Sequence, residues 1–132
     1  EEFAKVSELD YLLENSDVIT LHTRIIQETE YLIGTNQFSL MKSNALIINT
    51  ARGRLINEKA LYDSLVSGKI SGAALDVFEK EPLSKNNQLK SLHNVILTPH
   101  NAGNSHEVIR ESIKKLVENI NINLDWGQIW IE

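Results

Sequence analysis

The chain has 132 residues, a formal net charge of −5 and no cysteine. Its length suffices for one domain with a hydrophobic core, and its acidic balance argues against nucleic acid, because phosphate binding relies on clustered lysine and arginine. No apolar run is long enough to cross a bilayer, so we expect no membrane partner. The lack of cysteine excludes disulfides and favours a cytoplasmic protein, and we predict no metal site.

The first half of the chain predicts two helices that alternate with two strands. Ser7 starts a capping-box pattern ahead of a short apolar helix face. Residues 17–21, D-V-I-T-L, are predicted to form a buried strand. Thr35 is predicted to cap a second helix, and residues 45–49 form the next strand.

The second half continues the alternation. Asn57 is a predicted N-cap, and Gly68 is a predicted left-handed stop at the end of the same helix. Strands are predicted over residues 73–78 and 94–98. A long helix is expected to open near residue 104 or 105, with one apolar face formed by Ile109, Ile113, Leu116, Ile120 and Leu124.

The strand cores are continuous apolar runs, which predict burial on both faces, as in a parallel sheet covered by helices. Strands that alternate with helices predict an α/β fold with a doubly wound parallel sheet. We assign residues 1–103 to a partial Rossmann-like domain and residues 104–132 to a C-terminal helix and tail. Ligands of such sheets bind outside the carboxyl ends of the strands.

Polar side chains follow each predicted strand at this edge. His22 follows the first strand, Arg52 lies just after the second, and Asp76 closes the third. Glu81 comes shortly after the third strand, and His100 follows the fourth. A single histidine or arginine in a loop is more often a solvated surface residue, but four polar strand ends together indicate a ligand site.

Three motifs at these positions resemble a known family. Residues 49–53 read N-T-A-R-G, residues 72–82 read G-A-A-L-D-V-F-E-K-E-P, and residues 94–100 read N-V-I-L-T-P-H. In this order they resemble signatures of the D-isomer-specific 2-hydroxyacid dehydrogenases. The resemblance covers roughly residues 7 to 120 of this sequence. The resemblance implies interconversion of a 2-keto acid and a D-2-hydroxy acid with NAD, NADP not being excluded.

The resemblance also implies roles for individual residues. Arg52 would hold the substrate carboxylate and carbonyl oxygen, since its planar guanidinium suits bidentate recognition. His100 would donate the proton to the carbonyl oxygen, and Glu81 would bind the other ring nitrogen and favour the imidazolium. The implied cofactor-binding residues are His22, Thr50, Ala51, Arg52, Asp76, His100 and Gly103.

The dinucleotide fingerprint of this family is not found in the chain. No G-x-G-x-x-G follows a strand, because the six glycines are scattered. Arg24 also stands where the family usually has proline. We therefore expect this chain to be the second half of the NAD-binding domain, a fragment that is inactive alone and binds NADH weakly. From the family we expect a homodimer.

An alternative function is a non-catalytic binding or regulatory module, similar to the corepressor relatives of this family. Such a module keeps the dehydrogenase fold without turnover. The presence of Arg52, Glu81 and His100 together argues for the enzyme, although those relatives can retain the same residues. An activity assay with the glycine loop supplied distinguishes the two.

Overall fold

The computed structural model describes residues 5–123, with side chains described up to residue 118. Two compact units divide after His100 and are described separately. The first unit contains three α-helices, four strands and two short 3₁₀ turns. These are α1 Leu9–Asn15, β1 Val18–Leu21, α2 Thr35–Leu40, β2 Leu46–Asn49, the turn Gly53–Leu55, α3 Glu58–Val66, β3 Gly72–Leu75, the turn Gln88–Ser91 and β4 Val95–Leu97.

The four strands form one parallel sheet in the order β1-β2-β3-β4. The register places the last residues of the four strands in one row, which consists of Leu21, Asn49, Leu75 and Leu97. All four strands therefore end at the same edge of the sheet. The α/β architecture and the parallel sheet confirm the predicted fold class.

One face of the sheet carries the core. Ile19 and Ile47 from β1 and β2 are buried there with Leu13 of α1, Phe38 of α2 and Leu61 of α3. Helix α1 packs against α2, and α2 packs against α3. The three helices thus cover the same buried cluster, which holds the strands in place.

The opposite face of the sheet is exposed among the described residues. Val18 is 54% exposed, Leu46 is 43% exposed and Ile96 is 67% exposed. The prediction that the strands are buried on both faces is therefore wrong for this part of the chain. The physical reason is that α1, α2 and α3 pack on one face, so the strands alternate between buried and exposed side chains.

The predicted boundaries of α3 are confirmed. The Asn57 side chain accepts a hydrogen bond from the Ala60 N–H at 2.8 Å, as an N-cap does. After the helix, Gly68 has φ of 70°, a left-handed conformation that glycine adopts without a Cβ clash. These two residues fix where the chain enters and leaves α3.

Two predicted helix starts and one strand end are wrong. Helix α1 is preceded by Glu8, not Ser7, and Glu8 makes no side-chain capping bond. Helix α2 begins at Thr35 with Gly34 as its N-cap, and the Gly34 N–H donates to Gln37 Oε1 at 3.1 Å. Strand β3 ends at Leu75 instead of residue 78. The helix starts differ by one residue and the strand end by three, because sequence pattern locates the existence of an element better than its terminal residues.

The second unit contains α4, His106–Asn123. The Ser105 hydroxyl accepts the Val108 N–H at 3.2 Å, which confirms the predicted opening near residue 105. The last residue of the predicted apolar face, Leu124, lies outside the described residues, as does the tail that follows it. Within residues 5–123 no helix combines the length and apolar character that crossing a membrane requires.

Candidate functional site

The carboxyl edge of the sheet collects the residues predicted to bind substrate and cofactor. The segments after β1, β2, β3 and β4 all begin at this edge because the strands are parallel and in register. The predicted residues of the first unit that lie on these segments are His22, Thr50, Ala51, Arg52, Asp76, Glu81 and His100. Gly103 belongs to the second unit.

His100 and Glu81 form a direct pair. The His100 Nδ1 atom lies 2.7 Å from Glu81 Oε2. An ionised carboxylate can only accept, so Nδ1 carries a proton and donates it to Glu81. This fixes the orientation of the ring and leaves Nε2 as the nitrogen that can exchange a proton with a bound molecule.

The backbone at His100 is unusual. His100 has φ of 54°, which lies in the left-handed region that most residues other than glycine avoid. Such conformations cost energy and persist where the surrounding structure enforces them, often at functional sites. The turn after Pro99 therefore presents the imidazole to Glu81 at a cost in backbone strain.

Glu81 is held at both carboxylate oxygens. Its Oε2 accepts from His100, and its Oε1 accepts from the Phe78 N–H at 3.0 Å. The hydrogen bond from His100 and then that from the Phe78 amide lower the pKa of Glu81 below its ordinary value. The carboxylate is therefore ionised throughout the neutral range and well into the acidic range.

This lowered pKa predicts a pH-dependent contribution of Glu81 to stability. A carboxyl whose pKa is depressed by folding stabilises the fold above its unfolded pKa, here near 4.5, and this contribution disappears as pH falls through the folded pKa. We expect Glu81→Gln to unfold more easily than the parent chain at pH 7, with the difference shrinking below about pH 4.5. Urea unfolding of both proteins from pH 7 to pH 3 measures it. A difference that stays constant or grows toward low pH would contradict the prediction.

Asp76 is buried behind the edge. It is 3% exposed, and its Oδ1 accepts the Thr98 hydroxyl at 2.5 Å. Its N–H donates to the Asn49 carbonyl at 2.9 Å, which continues the pairing of β2 and β3 past Leu75. Asp76 thus links the ends of three neighbouring strands.

The loop after β2 presents Arg52. The buried Asn49 side chain accepts the Ala51 N–H at 3.1 Å and donates to the Arg52 carbonyl at 2.9 Å. The Arg52 side chain is exposed, and its Nη1 donates to the Ala51 carbonyl at 2.6 Å. The main chain of the loop is therefore tied down while the guanidinium stands at the surface.

The same loop presses against the segment after β3. A Cβ built on Gly53 would lie 1.9 Å from the carbonyl carbon and oxygen of Phe78, closer than real side chains approach a backbone. Gly53 is required there because only a residue without a side chain permits this contact. Since Phe78 also donates to Glu81, the contact connects the Arg52 loop with the Glu81–His100 pair.

The remaining predicted residues are described mainly by their exposure. His22 is exposed, and its Nε2 lies 2.9 Å from Thr20 Oγ1. Thr50 is exposed, and Ala51 is half-buried. Gly103 is exposed with open space around its Cα. Within residues 5–123 no group of three or more histidine, aspartate or glutamate side chains could hold a metal ion.

A cavity of about 600 Å³ adjoins the Glu81–His100 pair. Its lining is mostly apolar, with a lysine and a threonine among the polar groups. Besides Glu81 and His100, the residues that line it are Phe78, Pro82, Leu83, Lys90, Leu97, Thr98 and Pro99. Pockets of this size and character commonly take small molecules.

Sequence reasoning missed three contacts that shape the site. It gave no role to the Asn49 side chain, to the Gly53–Phe78 contact or to the Thr98–Asp76 hydrogen bond. Asn49 and Gly53 flank Arg52 inside the N-T-A-R-G segment, so that motif carried the signal. A buried asparagine and a glycine beside an arginine at a strand end both indicate a constrained loop.

Comparison with known proteins gives one family. Residues 1–102 match the family model described as "D-isomer specific 2-hydroxyacid dehydrogenase, NAD binding domain". A glyoxylate reductase from Korarchaeum cryptofilum is 44% identical over 112 residues, which are 85% of this chain and 34% of that protein. A D-3-phosphoglycerate dehydrogenase from Methanocaldococcus jannaschii is 47% identical over 119 residues, 85% of this chain and 22% of that protein.

Solved structures agree with the sequence relatives. The NAD-complexed D-isomer specific 2-hydroxyacid dehydrogenase from Lactobacillus delbrueckii ssp. bulgaricus superposes with a TM-score of 0.77 at 32% identity. The match covers 88% of this chain and 39% of that one. The chain thus spans about a third or less of the length of these two curated relatives.

Proposed function

Because this chain belongs to the D-isomer specific 2-hydroxyacid dehydrogenase family through its NAD-binding domain, we propose that it carries the catalytic residues of an oxidoreductase that interconverts 2-keto acids and D-2-hydroxy acids. The observation that carries this proposal is the 2.7 Å pair of His100 and Glu81. It lies at the sheet edge where Arg52 leaves the neighbouring strand β2. Proton donor and anion-binding group therefore share one edge.

His100 is the proposed acid in keto-acid reduction. When bound, the nicotinamide would supply a hydride to the carbonyl carbon. His100 Nε2 would give its proton to the carbonyl oxygen, so that the carbonyl group becomes a hydroxyl group. Glu81 accepts from Nδ1 throughout and stabilises the charged imidazolium before the transfer. In the reverse direction the neutral His100 takes the hydroxyl proton.

Arg52 is the proposed substrate anchor. Its guanidinium stays charged at every relevant pH and can bind a carboxylate through two parallel hydrogen bonds. In the structure it is exposed and donates to the Ala51 carbonyl, so a substrate carboxylate would replace that carbonyl as the acceptor. The same group would also polarise the keto oxygen as negative charge develops on it.

The donor set at the sheet edge fits the nicotinamide end of NAD. Asp76 would accept a hydrogen bond from the carboxamide, Thr50 and Ala51 would line the nicotinamide site, and Arg52 and His100 would act on the substrate. His22 completes the proposed set on this unit, and Gly103 of the second unit is a separate proposed cofactor residue. No residue of the set distinguishes NAD from NADP, and both remain within the proposal.

The isolated chain is expected to bind NADH only weakly. Its sequence contains no glycine loop to grip the pyrophosphate. Micromolar binding corresponds to about −8 kcal/mol, and losing about three hydrogen bonds to charged phosphate at roughly 1.5–3 kcal/mol each removes most of it. A fluorescence titration should show no saturation up to millimolar NADH, with Arg52→Ala indistinguishable from the parent. Micromolar binding would contradict this expectation.

A chimera tests the proposed activity. The aligned segment of this chain, which covers 34% of the Korarchaeum cryptofilum glyoxylate reductase, replaces its counterpart there, so that the relative supplies the remainder of its own length. We expect NADH- or NADPH-dependent reduction of glyoxylate by the chimera. Glyoxylate is the aldehyde analogue of a 2-keto acid and is the keto-acid substrate in the chimera assays below. A chimera that folds and binds the cofactor without turnover would refute the enzyme proposal and favour the non-catalytic module.

The proposal extends to domain boundaries, partners and location. We assign residues 1–103 to part of the NAD-binding domain and residues 104–132 to its C-terminal helix and tail. The small-molecule partner is a 2-keto or 2-hydroxy acid. A homodimer is supported by the exposed apolar face of the sheet, which includes Val18, Leu46 and Ile96. The cytoplasmic location rests on the cysteine-free composition and stays a prediction.

A further inference from the structure

Asn49 occupies a position where packing alone favours an apolar side chain. It is 1% exposed and ends strand β2 on the face covered by the helices. The residues paired with it across the sheet, Leu21 and Leu75, are leucines, and so is Leu97 in the next strand. A buried amide in a row of leucines is costly unless both its oxygen and its nitrogen are hydrogen-bonded.

The side-chain amide of Asn49 bonds to two main-chain groups, one before and one after the peptide bond that joins Ala51 to Arg52. Asn49 Oδ1 accepts the Ala51 N–H at 3.1 Å, and Asn49 Nδ2 donates to the Arg52 carbonyl at 2.9 Å. The Arg52 carbonyl also accepts the Leu55 N–H at 3.2 Å. The main chain around Arg52 is thus fixed from inside the sheet, although the Arg52 side chain is exposed.

From this geometry we infer that Asn49 is a positioning residue, which uses its buried carboxamide to hold the Arg52 loop so that the guanidinium meets the carboxylate of a 2-keto acid. The inference rests on the proposed function of Arg52. Asn49 does not touch the substrate in this scheme. It lowers the conformational freedom that the Arg52 loop would otherwise lose on binding.

The decisive variant is Asn49→Leu. Leucine has the same number of side-chain heavy atoms and completes the row of leucines, so the added apolar burial offsets the loss of the two hydrogen bonds and the variant is expected to fold. Both hydrogen bonds to the loop are lost, and their partners on Ala51 and Arg52 can turn to water. The variant therefore separates the stability of the core from the order of the Arg52 loop.

Amide hydrogen exchange in the isolated chain gives the first readout. In Asn49→Leu the Ala51 amide is expected to exchange at least about fivefold faster. The Asp76 amide is a matched control, because it donates to the main-chain carbonyl of Asn49 and should keep its rate. Unchanged exchange at Ala51 would overturn the inference, and this readout needs no enzymatic activity.

Kinetics in the glyoxylate reductase chimera give the second readout. We expect the KM for the keto acid to rise about tenfold while the KM for the nicotinamide changes less than about twofold. The inference would be overturned if both KM values rose together while kcat fell, or if the KM for the keto acid did not change. A parent chimera without activity would instead refute the proposed function and leave the exchange result to decide the role of Asn49.

Asn49→Asp provides a second variant in case the leucine variant does not fold. An ionised carboxylate keeps an acceptor for the Ala51 N–H but cannot donate to the Arg52 carbonyl, whereas the protonated form can. The KM for the keto acid relative to the parent should therefore be raised at pH 8 and approach the parent value as pH falls. A ratio that does not depend on pH would overturn the inference.

Discussion

His100→Asn is expected to reduce kcat for keto-acid reduction in the chimera by roughly 10²–10⁴-fold, the usual contribution of a positioned general acid. The asparagine amide has no proton to transfer at neutral pH. Asparagine is also the substitution that best preserves the turn, because it tolerates the left-handed region in which His100 has φ of 54°. An alanine variant would combine the loss of the acid with backbone strain.

His93→Asn is the matched control for this experiment. His93 is exposed between the turn Gln88–Ser91 and β4, and it belongs to no motif. We expect His93→Asn to leave kcat within about twofold of the parent value, since surface substitutions away from the site and the core have small effects. If His100→Asn retained more than about a tenth of the parent kcat, a group other than His100 would have to donate the proton.

Glu81→Gln distinguishes the role of Glu81 from that of His100 in the same assay of kcat. Glutamine can still accept the Phe78 N–H, but it loses the charge that stabilises the imidazolium. We expect a smaller loss of kcat than in His100→Asn because the proton donor is still present. A Glu81→Gln loss larger than that of His100→Asn would mean that Glu81, not His100, exchanges the proton.

The strand positions could be predicted from sequence because their signals are local, whereas the pairing of Glu81 with His100 was implied by the family resemblance. Continuous apolar runs mark β1 to β4, and each polar strand end follows such a run directly. The parallel arrangement then requires that residues after different strands meet at one edge. The strand positions therefore predicted which edge of the sheet holds the site, and the resemblance supplied the roles of Arg52, Glu81 and His100.

The exposed sheet face could not be predicted because burial depends on what packs against a residue. Val18 and Leu46 are as apolar as Ile19 and Ile47, and the same run of residues supplies both faces. Only the observed helix packing distinguishes them. The contact at Gly53 is similar, since it arises between loops far apart in sequence and has no local pattern beyond the glycine itself.

Gly53→Ala is expected to destabilise the chain by about 3 kcal/mol or more, at the upper end of the cost of overpacking. The added methyl would overlap the Phe78 carbonyl at 1.9 Å and lie 2.6 Å from the Glu79 nitrogen. These are backbone atoms, so no side-chain rotation relieves the clash, and the loops after β2 and β3 must separate. Urea unfolding of the variant and its parent measures the loss.

Gly103→Ala is the matched control for stability, since a Cβ there meets nothing within 4 Å, and it should change the unfolding free energy by less than about 0.5 kcal/mol. In the chimera, Gly53→Ala should also lower kcat/KM for the keto acid even under conditions where it is fully folded. The separation moves Arg52 away from the segment that holds Glu81, and a misplacement of about 1 Å can cost roughly 100-fold. If Gly53→Ala were as stable as Gly103→Ala and as active as the parent chimera, the close contact between the two loops would not exist in solution. The arrangement of Arg52 beside Glu81 and His100 would then have to depend on other residues.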